Sequence, residues 1–427
     1  MAEIIVGART SPLSQAQVEE VASALSNVSF RPLFVESTGD LDQKTSLRTL
    51  DKTDFFTKEI DAMLLSGACR IAVHSAKDLP EPLPQGLTMV ALTRGVDPSD
   101  SLVIQENSKP NALIATSSLK RETAVSAILP QARFCDIRGT IGKRLEKLSS
   151  GEIDGVVIAE AALIRLKLTH LNRIKLPGVS TPYQGQLAIL ARTGDQEMAD
   201  FFASLDVRAL PKALYFGPDL PSHEFRNRWL HHYPLIRIEQ LPPDPEAYKQ
   251  WEKATHVIFT SKNAVKTTLN HLKELNIPAE SLKEKIVLAI GQATASIIPF
   301  YKELIIAKTE TQEGIIELLS PGAFYFYPHS ALSRPLLNLA LSRHPHVSFA
   351  AYTVSQDPLT QIPDLHSFPE AIFSSPSTVE AFFARNPKVP NSLRLTAIGP
   401  VTQAALSVDK NIQNTLRSNH FGPHRAP

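Results

Sequence analysis

The stretch that decides the N-terminal fold reads Arg70-Ile71-Ala72-Val73-His74-Ser75-Ala76-Lys77-Asp78-Leu79-Pro80. An apolar run typical of a buried strand leads directly into a cation, Lys77, and a carboxylate, Asp78. Pro80 disfavours helical geometry at the residue before it, so the pair is predicted to lie in an extended or turning segment. Ligands commonly bind at strand ends in α/β sheets, although an ordinary surface turn would have a similar sequence.

Length and charge limit the possible classes of protein. The 427 residues exceed what one hydrophobic core normally organises, so two or more domains are predicted. With 44 Lys plus Arg against 43 Asp plus Glu, the chain lacks the basic excess expected of a protein that binds nucleic acid or an acidic membrane. No apolar run approaches the roughly 20 residues of a membrane span, and Met1 to Val6 reads as a strand rather than a signal peptide. A cytoplasmic location is expected.

The cysteine content excludes two kinds of site. Cys69 and Cys135 are the only two cysteines, which rules out a disulfide framework and gives no spacing typical of metal ligands. Both are interpreted as small buried residues rather than reactive thiols, and no metal is expected.

Short apolar runs alternate with longer helical patterns, which is typical of the α/β class. The predicted elements include strands at residues 3–8, 71–74, 113–115 and 156–159 and helices at residues 12–25 and 56–65. Prolines cluster at residues 210–221, where a domain boundary is predicted, and at residues 241–245, which are interpreted as a loop.

The C-terminal half contains an internal repeat. Residues 257–265 resemble residues 371–379, and residues 289–294 resemble residues 397–402. Each unit reads as a buried strand, a small polar turn and the start of a helix, so the pattern predicts two similar α/β lobes.

Several N-terminal motifs together resemble the hydroxymethylbilane synthase (porphobilinogen deaminase) family over roughly residues 3–207. Besides residues 70–80 they comprise Arg9-Thr10-Ser11-Pro12-Leu13 with Gln17, Ser37-Thr38-Gly39-Asp40, Phe56-Thr57-Lys58-Glu59, Thr116-Ser117-Ser118-Leu119-Lys120-Arg121, Asp136-Ile137-Arg138-Gly139 with Arg144-Leu145, and Gln184-Gly185. The resemblance implies two lobes of the periplasmic-binding-protein type. They would comprise residues 1–93 with 191–207, and residues 94–190, in a domain covering residues 1–210.

The resemblance also implies a site for porphobilinogen, a pyrrole that carries acetate and propionate groups. Asp78 would stabilise pyrrole nitrogens and developing positive charge, with Lys77 beside it. The binding residues implied are Arg9, Ser11, Ser75, Thr116, Ser117, Ser118, Lys120, Arg121, Arg138, Arg144, Arg165 and Gln184. From the residues alone, the serines fit helix caps equally well, and any one arginine fits a solvated surface charge.

The sequence departs from the family at several positions. Thr53 replaces a binding lysine, Lys120 replaces the first arginine of a Ser-Ser-Leu-Arg-Arg pattern, and Thr140 and Gly142 replace an asparagine and an aspartate. The family implies a dipyrromethane cofactor held by a thioether to a cysteine in a third domain. That domain is expected after about Val207, where a different sequence follows, and no attachment cysteine is identified because Cys69 and Cys135 both lack a suitable position.

The repeated C-terminal half resembles uroporphyrinogen III synthase over roughly residues 213–410, within a predicted domain at 211–427. The resemblance implies that backbone amides and small polar groups grip the carboxylates of a linear tetrapyrrole. The candidates are Thr260, Ser261, Asn263, Gly291, Thr294, Ser374, Ser375, Ser377 and Thr402, all of which could instead be helix caps. Tyr352 matches a tyrosine proposed in the family to hydrogen-bond the departing hydroxyl, although a packed strand tyrosine would look the same. Arg334 is a weaker candidate for a carboxylate contact.

These resemblances predict a tetrapyrrole-pathway enzyme that fuses two consecutive activities. Porphobilinogen would be converted to hydroxymethylbilane, and hydroxymethylbilane to uroporphyrinogen III, without nucleic-acid or membrane partners. Two alternatives remain: synthase activity alone with a degenerate N-terminal half, or a non-catalytic binder of an acidic small molecule. Asp78 separates the last from the others, because a pure carboxylate binder has little use for it.

Overall fold

The structure is a computed structural model that describes residues 3–25, 28–42, 54–105, 108–221, 225–385 and 387–408. Strands and helices alternate throughout these residues, which confirms the predicted α/β class. The chain divides into two compact units, Met1–Leu235 with Asp357–Pro427 and Ile236–Gln356. Within the described residues, no helix combines the length and apolar character needed to cross a bilayer.

Two five-stranded sheets form the N-terminal half. Their strands are β1 (Glu3–Arg9), β2 (Ser29–Val35), β3 (Ile71–Ser75), β4 (Leu87–Leu92), β5 (Asp100–Ile104), β6 (Leu113–Ala115), β7 (Arg133–Cys135), β8 (Gly155–Ala159), β9 (Arg173–Lys175) and β10 (Leu187–Arg192). The orders are β2-β1-β3-β10-β4 and β7-β6-β8-β5-β9. β1 runs parallel to β2 and β3, whereas β10 is antiparallel to β3 and β4. The last strand therefore returns to the first sheet after the second sheet is complete.

Helices connect and cover these sheets. They are α1 (Pro12–Ser23), α2 (Thr38–Leu41), α3 (Lys58–Ser66), α4 (Leu119–Ser126), α5 (Ile141–Ser149), α6 (Glu160–Arg165) and α7 (Gln196–Phe202). α1 begins where Ser11 accepts a hydrogen bond from the Ser14 amide and a proline occupies the first turn. α3 ends at Gly67, whose φ of +83° suits glycine.

The decisive segment folds as a buried strand followed by one turn. The four residues 71–74 of β3 are buried, and β3 lies between β1 and β10. Lys77 and Asp78 then lie in a single 3₁₀ turn, Ala76–Asp78, and Leu79 is extended before Pro80. Leu79, the residue before Pro80, is extended, as the proline predicted. The turn that carries Lys77 and Asp78 is a short 3₁₀ turn, which the sequence analysis did not specify.

The described residues of the C-terminal half contain ten strands. They are β11 (Lys212–Tyr215), β12 (Trp229–His232), β13 (Ile236–Gln240), β14 (His256–Phe259), β15 (Ile286–Ala289), β16 (Glu303–Ile306), β17 (Tyr325–Ser330), β18 (His346–Gln356), β19 (Glu370–Phe373) and β20 (Arg394–Ala397). The orders are β12-β11-β19-β20 and β13-β18-β17-β14-β15-β16. The helices are α8 (Pro245–Tyr248), α9 (Lys262–Glu274), α10 (Gln292–Ala295), α11 (Gln312–Ile316), α12 (Leu336–Leu341) and α13 (Pro376–Ala384).

The internal repeat corresponds to equivalent strands in these two sheets. β14 leads through Ser261 into α9, and β19 leads through Ser375 into α13. The six-stranded sheet is the second compact unit, whereas the four-stranded sheet belongs to the unit that holds both five-stranded sheets. The domain limit near residue 210 and the lobe limits stay predictions.

A buried carboxylate joins the two halves of the sequence within the first unit. Asp357, only 2 % exposed, accepts hydrogen bonds from the amides of Gly178 at 2.9 Å, Leu359 at 2.9 Å and Thr360 at 2.8 Å. Nearby, Lys175 pairs with Asp97 at 2.7 Å and also with Asp219. Residues before and after position 210 therefore share a buried hydrogen bond and a partly exposed ion pair.

Candidate functional site

The turn after β3 places Lys77 and Asp78 beside a buried amide. Lys77 Nζ donates a hydrogen bond to Gln184 Oε1 at 2.9 Å. Burial lowers the pKa of the Lys77 ammonium; Asp78 opposes this change and Arg121 adds to it. These predicted residues therefore interact with one another, which a surface turn would not require.

Gln184 extends this contact to a second carboxylate. Its Nε2 donates to Asp100 Oδ1 at 2.9 Å and to the Pro98 carbonyl at 2.6 Å. Arg121 Nη2 donates to Asp100 Oδ1 at 2.6 Å. Burial acts to raise the pKa of Asp100, but the charge and hydrogen bond of Arg121 outweigh it and the pKa is lowered. Asp100 is thus an ionised carboxylate that holds Gln184 and Arg121.

Several cationic side chains lie close enough to change one another's pKa values. Burial, together with the charges of Arg121, Arg138 and Arg9, lowers the pKa of Arg144 to about 10, while Asp78 opposes this change. We call Arg9, Lys77, Arg121, Arg138 and Arg144 the cation cluster. Because neighbouring like charges are unfavourable, an anionic ligand among them would be stabilised.

Arg138 and Arg9 differ in how many of their N–H groups already donate hydrogen bonds within the protein. Arg138 Nη2 donates to the carbonyls of Gly39 at 3.0 Å and Asp42 at 2.7 Å. Its Nε and Nη1 are buried and have no hydrogen-bond partner among the described residues. Arg9 Nε instead donates to Asp40 at 3.0 Å, and its guanidinium lies 4.7 Å from the centre of the Phe56 ring. Arg138 therefore retains N–H groups that could donate hydrogen bonds to a carboxylate.

The hydroxyl residues before α4 have mixed roles. Ser117 Oγ donates to the Ile137 carbonyl at 2.9 Å and accepts from the Ile137 amide at 3.1 Å, which ties the ends of β6 and β7 together. Ser118 occupies the N-cap position without a side-chain cap. Thr116 is buried and Lys120 is exposed. Ser117 is thus structural, whereas Ser118 and Lys120 are accessible to a ligand.

Three other predicted binding residues already form hydrogen bonds or ion pairs with other residues of the protein. Arg165 forms an ion pair with Glu20 at 2.7 Å and also donates to the Gly185 carbonyl at 2.8 Å. Ser75 accepts from Gln17 at 2.8 Å. Ser11 caps α1, which is the helix-cap alternative. These residues hold the site together in the structure.

Sequence reasoning missed a buried pair of side chains, His74 of β3 and Asp61 of α3. His74 Nε2 lies 3.9 Å from Asp61 Oδ1, and neither atom has a hydrogen-bond partner among the described residues. Burial lowers the pKa of His74 to about 4 and raises that of Asp61. Asp100 was missed as well, because Asp97-Pro98-Ser99-Asp100 looks like an ordinary turn. A polar residue inside the apolar run at position 74 was the available signal for the first pair.

The two cysteines act as packing residues. Cys69 is buried in a core cluster with Ile60 and Leu64, and burial raises the pKa of its thiol. Cys135 is partly buried and packs against a cluster that includes Ala115 and Val156. Cys69 agrees with the prediction of a small buried residue, whereas Cys135 is only partly buried.

The departures from the family pattern have ordinary structural roles where they are described. Thr140 caps α5 by accepting from the Lys143 amide at 3.4 Å, and Gly142 is exposed in that helix. Thr53 lies outside the described residues.

In the second unit, Tyr352 and Ser261 meet. Tyr352 lies in β18 and Ser261 precedes α9, and their hydroxyl oxygens are 2.8 Å apart. Tyr352 is only 6 % exposed, and burial raises the pKa of its phenol, an effect that Ser261 opposes. Ser261 Oγ also accepts from the Ala264 amide at 3.0 Å. The phenol is therefore protonated at neutral pH.

The other candidates of this unit flank helix starts. Thr260 and Asn263 adjoin Ser261 and are partly buried, Gly291 precedes α10, and Thr294 is buried within it. A Cβ at Gly291 would overlap the carboxylate of Glu310. Arg334 pairs with Glu313 at 3.0 Å, so its charge is already matched.

The remaining candidates belong to the first unit. Ser375 and Thr378 form a capping box at the start of α13, which again is the helix-cap alternative. Ser374 and Ser377 are partly buried beside this cap, and Thr402 is buried. No group of three or more metal-ligating side chains occurs in the part of the chain that the structure describes.

Comparison with known families assigns both halves. Residues 4–200 match the family model described as porphobilinogen deaminase, dipyromethane cofactor binding domain, and residues 230–422 match uroporphyrinogen-III synthase HemD. A probable porphobilinogen deaminase of Chlamydia pneumoniae is 39% identical over 196 residues, covering 44% of this chain and 83% of the relative. The porphobilinogen deaminase of Rubrobacter xylanophilus is 33% identical over 240 residues, covering 51% and 78%. The chain belongs to the porphobilinogen deaminase family and is a fusion with a uroporphyrinogen III synthase domain.

Solved structures of the second family are also similar. The uroporphyrinogen-III synthetase of Helicobacter pylori is 20% identical with a TM-score of 0.35, covering 47% of this chain and 90% of that one. A mutant uroporphyrinogen III synthase of Thermus thermophilus is 18% identical with a TM-score of 0.34, covering 49% and 99%. Both matched families are enzyme families of tetrapyrrole biosynthesis, a transferase and a lyase, as the sequence motifs predicted.

Proposed function

We propose that the chain makes uroporphyrinogen III from porphobilinogen in two steps, one in each half. The observation that carries this proposal is the cation cluster, in which Lys77 and Arg144 lie close enough to Asp78 to sense its charge. The cluster fits because the substrate is a pyrrole with two carboxylates. The domain limits we propose are residues 1–210 and 211–427, and the location we propose is the cytoplasm.

In the first step, the cation cluster binds the acetate and propionate groups of each pyrrole. Loss of ammonia breaks a carbon–nitrogen bond, and the pyrrole nitrogen supplies the electrons that leave a cation on the ring. Asp78 stabilises this cation electrostatically and accepts hydrogen bonds from pyrrole N–H groups. The next pyrrole attacks through its free carbon and then loses a proton. Lys77, held by Gln184, fixes the turn that presents Asp78.

The cluster also suits the carboxylates of the dipyrromethane group that the family binds. Arg138 offers unpartnered donors, and Arg144 has a lowered pKa that a bound anion would raise again. The thiols are less suitable, because Cys69 is a core residue and Cys135 packs against another core cluster. We propose that charge-assisted hydrogen bonds hold this group without a thioether.

In the second step, the synthase half folds the linear tetrapyrrole so that its ends can react. Most of the chemistry lies in the substrate, and correct folding supplies much of the rate. Tyr352 donates a hydrogen bond to the departing hydroxyl, while Ser261 orients the phenol. Small polar residues at helix starts, such as Thr260 and Ser374, bind carboxylates.

The direct test supplies each substrate separately to the full chain. With hydroxymethylbilane, chromatography of the oxidised products should show the type III isomer. Type I porphyrin alone, which forms by spontaneous closure, would refute the synthase assignment. With porphobilinogen, the expected result is consumption of substrate and formation of the same type III product.

A second candidate is synthase activity alone, with the N-terminal half as a binding module for the linear tetrapyrrole. The packed positions of Cys69 and Cys135 favour it. This candidate predicts type III product from hydroxymethylbilane and no consumption of porphobilinogen, even after a free dipyrromethane is added. Consumption in that assay would exclude it.

A further inference from the structure

A cavity of about 490 Å³ lies in the first unit, where the two halves of the sequence meet. We call it the junction cavity. Its lining includes Asp100, Lys120 and Arg121 from the deaminase domain and residues 176–180. Tyr233, Leu359 and Gln361 from the C-terminal half also line it. Each half of the chain therefore supplies side chains to one partly open cavity.

The walls of the junction cavity are held in place by buried contacts. The carboxylate of Asp357 accepts hydrogen bonds from Gly178 and Leu359, which both line the cavity. Gly178 has a φ of +90°, and a Cβ there would lie 3.1 Å from Cβ of Leu359. The close approach of these two segments needs glycine, so the cavity is a formed feature of the fold.

The charge of the cavity favours an anion. Arg121 is paired with Asp100, which leaves Lys120 as an additional cation with no ion-pair partner among the described residues. Burial lowers the pKa of Lys120, and Asp100 opposes that change. Gln361 and Tyr233 add an amide and a phenol that can donate hydrogen bonds. A carboxylate is the ligand that these groups match.

We propose that the junction cavity binds a carboxylate-bearing end of the linear tetrapyrrole, the product of the first step and the substrate of the second. The inference rests on the proposed function. A volume of about 490 Å³ falls within the roughly 300–1,000 Å³ of small-molecule sites. The cavity therefore holds part of the linear tetrapyrrole rather than all of it.

This placement gives the cavity a specific role. Lys120 and Arg121 belong to the deaminase domain, while Gln361 comes from the segment that follows β18. A pyrrole held there contacts both halves at once. The C-terminal half therefore contributes to retention of the tetrapyrrole after the first step.

The test places a negative or a positive charge at one exposed position of the cavity wall. Gln361 is exposed, so Gln361→Glu and Gln361→Lys should fold alike. The probe is a linear tetrapyrrole that lacks the terminal hydroxymethyl group and cannot cyclise, titrated calorimetrically without oxygen into the full chain. We expect about tenfold weaker binding for Gln361→Glu and tighter binding for Gln361→Lys. Gln85→Glu and Gln85→Lys, at an exposed position that does not line the cavity, should stay within about twofold of the original chain.

Equal affinities for Gln361→Glu and Gln361→Lys would overturn the proposal, since a probe bound elsewhere does not sense this position. The same proteins are assayed for cyclisation of hydroxymethylbilane. Normal formation of the type III isomer together with equal affinities would reject the junction site and leave the proposed function standing. No type III product from the original chain would instead reject the synthase function, whatever the affinities.

Discussion

The hydroxyl oxygens of Tyr352 and Ser261 lie 2.8 Å apart, although 91 residues separate them in the sequence. Ser261 Oγ already accepts the Ala264 amide, so its own proton can point to the Tyr352 oxygen. In that arrangement the phenol proton remains available to a substrate. A helix cap and a strand tyrosine, each ordinary alone, together form a neutral hydrogen-bond donor.

Replacing Tyr352 with phenylalanine should slow cyclisation of hydroxymethylbilane about 100-fold, a loss typical of removing one donor to developing negative charge. Initial rates of type III formation measure the effect. Tyr327→Phe is the matched control, because Tyr327 is also a buried strand tyrosine and its hydroxyl contacts Ser333 at 3.2 Å. Equal rates in the two variants would remove Tyr352 from the reaction.

Loss of the carboxylate at position 78 should abolish porphobilinogen consumption and spare the second step. Asp78→Asn keeps the size of the side chain and removes its charge, and Asp78→Ala removes both. Substrate disappearance and hydroxymethylbilane cyclisation are measured on the same preparation, with exposed Asp200→Asn as the control. A folded Asp78 variant that lost both activities would contradict two independent sites.

Intact-mass spectrometry should find no acid-stable two-ring addition on the purified chain, because both thiols have packing positions. If porphobilinogen is still polymerised, adding free dipyrromethane should shorten any lag. Cys69→Ser and Cys135→Ser would locate an adduct if one formed. An addition lost only in Cys135→Ser would show that this thiol reaches the ligand.

The buried His74 should make stability depend on pH between about 4 and 6.5, its folded and ordinary pKa values. In this window the unfolded chain binds the proton that the folded chain excludes. The free energy of unfolding therefore falls as the pH is lowered, by at most about 3 to 4 kcal/mol over the whole window. Urea unfolding at pH 7.5 and pH 5 measures the loss.

His74→Gln removes this contribution and should lose less stability over the same interval. Asp61 acts in the opposite direction, because its pKa is raised by burial and its stabilisation is lost as the pH rises through the folded pKa. Asp61 is present in both proteins, so the difference between them reports His74. Parallel losses in the two proteins would mean that His74 is protonated in the fold.

Local sequence predicted the strand β3, the turn that carries Asp78 and the serine caps, because each depends on neighbouring residues. The contacts from Lys77 to Gln184 and from Gln184 to Asp100 span 107 and 84 positions. Nothing near either end indicates such a partner. Family resemblance supplied Gln184 as a candidate, whereas Asp100 emerged only when β5 and the 3₁₀ turn were placed in space.

Asp357 joins the synthase-like sequence to Gly178 of the deaminase domain through one buried carboxylate. Its consequence extends to the supply of enzyme in the cell. Fusion fixes the two halves at a ratio of one to one. The hydrogen bond between Asp357 and Gly178 also makes the stability of each half depend on the other. A substitution at Asp357 would lower the amount of both together, so a single inherited change would affect two successive steps.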